Sequence, residues 1–155
     1  MPAVTFNLYD KFRQKQASGN GGVKITGASP LAVKCMIVTA GYVLDQNLHD
    51  FRDDLGANEV SGSNYTAGGN AMGSPTDAVD GAGLVTVDFA DPATWAQHAT
   101  GFSNARRAVI YVARGGAASA DELIGFSNDF GADKGNVDGD FTVQINAAGL
   151  FTAAR

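Results

Sequence analysis

At 155 residues the chain has the size of one domain, able to bury roughly 70% of the surface its unfolded form exposes. Its 45% apolar content is that of an ordinary globular protein, but only 17% of its residues are charged and the formal net charge is −5, with 11 Lys and Arg. That balance argues against a nucleic-acid partner, whose phosphates require a basic patch, and against an anionic membrane surface. The lone cysteine, Cys35, leaves no intrachain disulfide or thiolate metal cluster and reads as a small buried hydrophobe.

Residues 4–17 (VTFNLYDKFRQKQA) are the best helix candidate: Leu8 and Phe12 stand four apart, and Phe6, Tyr9 and Phe12 fall near one face. Lys11, Arg13 and Lys15 gather toward the end that the helix dipole makes negative, and Ser18-Gly19-Asn20-Gly21-Gly22 stops the element. So short a helix must dock on something. Met1-Pro2-Ala3-Val4 lacks the basic region and apolar run of a signal peptide, so synthesis and assembly in the cytoplasm are expected.

Beyond the glycines the pattern turns to strands. Val23–Thr26 is short. Residues 31–40 (LAVKCMIVTA) form a β-branched apolar run expected of a central strand covered on both faces. Residues 50–55 read as a helical turn with Phe51 and Leu55 inward. The stretch 57–83, rich in Gly and poor in large apolar residues, reads as a long loop. Residues 84–90 alternate, with Val85, Val87 and Phe89 on one face, and Asp91-Pro92 ends them. Residues 106–113 and 123–130 form a hairpin with a loose loop at Gly115-Gly116. Residues 140–146 alternate most cleanly, through Phe141, Val143 and Ile145. A final fragment, 150–153, follows a turn at 147–149. The whole predicts a mainly β protein: an antiparallel β-sandwich of jelly-roll or immunoglobulin-like type with one short N-terminal helix and a long Gly-rich loop. Residues 1–22 are the helical arm and 23–155 the sandwich domain.

Nothing in the chain spells a catalytic motif: there is no G-x-S-x-G, H-E-x-x-H, Walker loop or post-strand G-x-G-x-x-G. His49 reads as a polar loop residue and His98 as a strand-end hydrogen bonder. Asp129, Asp133, Asn136, Asp138 and Asp140 could supply oxygen ligands to calcium, but the spacing is not that of an EF-hand, and Asp and Asn beside Gly are what a hairpin turn uses. Asp77, Asp80, Asp88 and Asp91 are dispersed carboxylates. Trp95 is either a core anchor or an interface aromatic. Asn64-Tyr65-Thr66 matches a glycosylation acceptor, which without a secretion signal carries no weight.

Three elements run in order through 31–69: Val38-Thr39-Ala40-Gly41-Tyr42 at the end of the apolar run, His49-Asp50-Phe51-Arg52-Asp53-Asp54, and the loop Ala57-Asn58-Glu59-Val60-Ser61-Gly62-Ser63-Asn64-Tyr65-Thr66-Ala67-Gly68-Gly69. This stretch resembles a family of small proteins encoded among the structural genes of tailed bacteriophages. Weaker matches of the same type follow at Val85–Phe89, Ala93-Thr94-Trp95, Arg106–Tyr111 and Phe141–Leu150. The likeness is specific in the 57–69 loop and generic elsewhere; residues 1–30 depart from it and 70–83 form a looser insertion. It implies a non-enzymatic virion protein, first a capsid decoration (cement) protein on the outside of the assembled shell. A neck or tail component, or a module binding carbohydrate or the host surface, is the alternative. The partners implied are the major capsid protein and further copies of the chain, for instance a trimer, with no cofactor, metal, small-molecule substrate, nucleic acid or membrane. Candidate subunit or shell contacts are Phe6, Tyr9, Phe12, Val60, Tyr65 and Trp95.

Overall fold

A computed structural model describes residues 4–18, 23–73, 75–79 and 83–154. Among the described residues eight strands form two antiparallel sheets beside one short helix, a mainly β, sandwich-like fold. The strands are β1 (Phe6–Leu8), β2 (Val33–Thr39), β3 (Asn70–Met72), β4 (Thr76–Val79), β5 (Leu84–Asp88), β6 (Ala105–Val112), β7 (Leu123–Ser127) and β8 (Phe151–Ala154), with helix α1 at Asp10–Ser18. The larger sheet runs β1-β7-β6-β2-β3 and the smaller β4-β5-β8.

The centre of the larger sheet is the β2–β6 pair, in register from Val33 opposite Val112 to Val38 opposite Arg107, with a bulge before Thr39. Cys35, Ile37, Val38, Ala108, Val109, Ile110 and Val112 are fully buried. Consecutive residues on both strands are therefore covered, the property that made 31–40 read as an unbroken apolar run. Burial also pushes the Cys35 thiol well above its ordinary range, so it stays protonated. The hairpin β6–β7 and the alternation in β5 match their sequence patterns, with Val87 and Phe89 buried and Val85 partly so. The small sheet joins the same core through Val87, Phe89 and Leu150.

Four expectations need correction. Residues 6–8 are not helical: Phe6 and Leu8 are buried with Asn7 between them, a period of two, and the segment pairs with β7. The helix starts only at Asp10, so the N-terminal stretch is an edge strand plus a helix docked through Phe12, not an arm apart from the sandwich. The glycines at 19–22 and Asp80 lie outside the described residues. Among the described residues Val23–Thr26 alternates in burial but joins no ladder, and neither do residues 140–146, whose β-pairing is confined to single bridges, Trp95–Phe141 and Val4–Ile145. Alternation reports one buried face and says nothing of whether a strand lies alongside. Finally, 57–83 is not one loop, since β3 and β4 lie inside it.

The short 3₁₀ turn at Arg52–Leu55 is locked to the start of β7 by charge. Arg52 Nε donates to Asp121 Oδ2 at 2.9 Å, and Arg114 grips Glu122 with two bonds of 2.8 and 2.7 Å. Burial alone would raise the Glu122 carboxyl, but the Arg114 fork outweighs it and holds the group below its ordinary value of 4.5. A carboxylate with a depressed folded value stabilises fully above its unfolded value, and that contribution is lost as pH falls through the folded one. We expect the melting temperature to drop as pH falls below about 4.5. Glu122→Gln should lower it at neutral pH and flatten the acid limb, read by thermal melts across the acid range. Some slope remains in that variant, because Asp54 and Asp129 are shifted in the same direction.

Candidate functional site

The loop 57–69 packs along the edge of β2 that β6 does not occupy. β3 covers that edge only as far as Cys35, which pairs with Asn70. Beyond it the loop supplies the missing partners. Tyr65 Oη accepts the Ile37 amide at 3.1 Å, Val60 N donates to the Ile37 carbonyl at 3.0 Å, and Thr39 N donates to the Asn58 carbonyl at 2.8 Å. Each bond serves a backbone group of a covered strand that has no water to turn to.

The loop is in turn held together by Glu59. Its Oε1 accepts from Tyr65 Oη at 2.8 Å and from Gly68 N at 2.5 Å, while Tyr111 Oη donates to the Gly68 carbonyl at 2.7 Å. Burial, partly opposed by the Ile37 amide and reinforced by the Glu59 charge, pushes the Tyr65 hydroxyl far above its ordinary range, so it remains a donor. Two glycines are required by contact. A Cβ on Gly69, whose φ is 72°, would lie 1.9 Å from the Cys35 carbonyl oxygen, and one on Gly62 would lie 2.4 Å from Phe102 N.

Behind the loop stands an aromatic cluster. Tyr65 stacks on Trp95 with centroids 6.1 Å apart and meets Phe102 edge-on at 5.5 Å; Phe141 contacts Trp95, Phe102 and Phe130. Asn136, fully buried, ties this region together: Oδ1 accepts Phe102 N at 2.9 Å, and Nδ2 donates to the carbonyls of Ser63 and Ala96 at 3.1 and 2.9 Å. Sequence reading took Asn136 for a turn residue. An Asn beside glycine carries no local signal that its amide will bridge segments more than thirty residues away.

The predicted contact residues are thereby reassigned. Phe6, Tyr9, Phe12, Val60 and Trp95 are buried, and Tyr65 is half-buried with its hydroxyl engaged. Packed this way, none of the six projects from the surface as an anchor. Trp95 resolves as a core anchor. With Trp95 covered, neither it nor Tyr65 offers the open aromatic face on which a sugar would stack. What the loop turns outward is polar and uncharged at Ser61, Asn64 and Thr66.

Other candidates resolve similarly. His98 Nδ1 accepts from the backbone N and Oγ1 of Thr100 at 3.2 and 3.0 Å, closing a turn. His49 Nδ1 lies 2.8 Å from Tyr42 Oη, which lies 2.8 Å from Tyr9 Oη. This partly buried chain was not foreseen, because Tyr9 reaches Tyr42 from a segment distant in sequence. Three carboxylates of 129–140 are engaged by protein donors: Arg106 reaches Asp129 and Asp133, and Gln97 N reaches Asp140. The segment is also no simple hairpin turn, since Lys134 and Ala105 exchange backbone bonds of 2.9 Å along the start of β6. Among the described residues no group of three or more His, Cys, Asp and Glu could hold a metal ion, and no helix is long and apolar enough to cross a membrane.

Against this geometry, comparison with protein-family models, curated proteins and solved structures finds no match to the chain.

Two substitutions test the loop's role as the cover of β2. Tyr65→Phe removes the acceptor of the Ile37 amide and a donor to Glu59; it should destabilise by about 1–3 kcal/mol in urea unfolding. Gly69→Ala adds a strained φ to a backbone clash and should cost at least about 2 kcal/mol by the same measurement.

Proposed function

We propose that this chain is a structural protein of a tailed-phage virion, without enzymatic activity, and that it decorates the outside of the assembled capsid shell. The observation that carries the reading is the 57–69 loop. Among the residues that carry the resemblance to small phage structural proteins, Glu59, Tyr65, Gly68 and Gly69 are one interlocked unit around the edge of β2. A motif whose members depend on one another is a folding unit, and a folding unit is what relatives share. The net charge of −5 supports a role in which many copies must stay soluble before they assemble. The major capsid protein is the partner in this reading, and the virion the place of action.

The test is to mix purified protein with expanded, empty shells and determine bound copies by gel densitometry and image reconstruction. Decoration predicts density repeating with the shell lattice and slower shell disruption on heating. Copies confined to a single vertex would make the chain a neck or tail part, and absence of binding would remove the virion-surface reading.

A further inference from the structure

Two large apolar side chains stand in solvent on one short loop: Val43, 82% exposed, and Leu48, 69% exposed. The loop that displays them is rigidly built. At its base Tyr42 Oη bonds His49 Nδ1, with the two rings 5.5 Å apart. Within it the Asp45 carboxylate accepts from Asn47 N and Leu48 N, both at 3.0 Å, and the Asp45 carbonyl accepts from His49 N. Its flank is held to α1, where Asp10 N donates to the Gln46 carbonyl at 3.0 Å and Gln46 Nε2 donates to the Leu8 carbonyl at 3.0 Å. Six bonds therefore fix a turn that leaves the Val43 and Leu48 side chains in solvent. A fold that stiffens an exposed apolar knob has reduced the ordering cost of binding through it.

The same molecule carries a matching trough. Two openings of about 370 and 340 Å³ meet at Phe151 and Gln16, between α1 and the small sheet. Leu8, Phe12 and Ala17 line one side, and Ile25, Val85 and Val87 the other. The charged residues on the trough walls are Arg13 and Lys24, both basic and exposed. The charged residue of the 43–48 knob is Asp45. Apolar shape and opposite charge thus occur in pairs on one chain.

We infer that the knob of one copy, Val43 and Leu48, inserts into the α1–Phe151 trough of a second copy, with Asp45 facing Arg13 and Lys24. The contact is a self-association surface that stands apart from the virion reading. Burial of two aliphatic side chains supplies its core, and the charge pairing sets its orientation.

Sedimentation equilibrium on the full chain tests it. Wild type should associate reversibly as concentration rises. The double variant V43S/L48S and the single variant R13E should each raise the dissociation constant at least about tenfold. All three sites are exposed, so melting curves of the monomers should coincide with wild type, separating lost contact from lost fold. Mixing the two variants should restore 1:1 heterodimers, because one keeps an intact trough and the other an intact knob. A wild type that stays monomeric, an association indifferent to either variant, or a mixture that fails to pair would each overturn the assignment. A monomer that nonetheless coats shells would overturn this surface alone and leave the proposed function standing.

Discussion

Strand β2 is covered on both faces, so every backbone donor and acceptor along its two edges must find a protein partner. One edge is served by β6 along its full length, and the other by β3 only at Val33–Cys35. The remaining groups, at Ile37 and Thr39, are met by an irregular loop instead of a strand. Much of the molecule follows from that substitution. Glu59 has to clamp Tyr65 so that its hydroxyl reaches the Ile37 amide, and Gly69 has to be glycine so that the loop can close against Cys35.

The aromatic cluster extends the same constraint outward. Tyr65 is held at one end by hydrogen bonds and at the other by stacking on Trp95, which in turn rests on Phe141. Asn136 then fastens Ser63, Ala96 and Phe102, so the loop, the segment before β6 and the segment after β7 are held as one body. A stretch rich in Gly, Ser and Asn, which by composition resembles a flexible linker, is among the most heavily bonded parts of the chain. Its outward surface is polar because its large side chains all point inward.

This arrangement also redirects the search for a contact surface. Aromatic residues are the usual anchors of an interface, and here the aromatics singled out from sequence are consumed by the fold. The two most exposed large apolar side chains are instead aliphatic, Val43 and Leu48, on a loop whose rigidity comes from Tyr42, Asp45 and His49. Nothing in V-L-D-Q-N-L announces this. Leu44, beside Val43, packs against the core, and the docking of the loop on the body of the fold decides which of the two neighbours faces out.

The strands with strong local patterns were legible from the residues themselves: β2 by its unbroken apolar run, β5 by alternation, and the β6–β7 hairpin by two runs about a Gly-Gly break. The buried state of Cys35 and the mainly β class followed with them, because burial periodicity is a local property. Phe6–Leu8 was misread because three residues are too few to separate a period of two from one of 3.6 when Tyr9 and Phe12 follow. Residues 140–146 were misread because alternation cannot say whether a partner strand is present. Tertiary structure alone decided what covers the open edge of β2, that Asn136 is a buried hub, and that Val43 and Leu48 remain outside. Each of these depends on hydrogen-bond and packing partners distant in sequence, and no local pattern encodes which distant group will arrive.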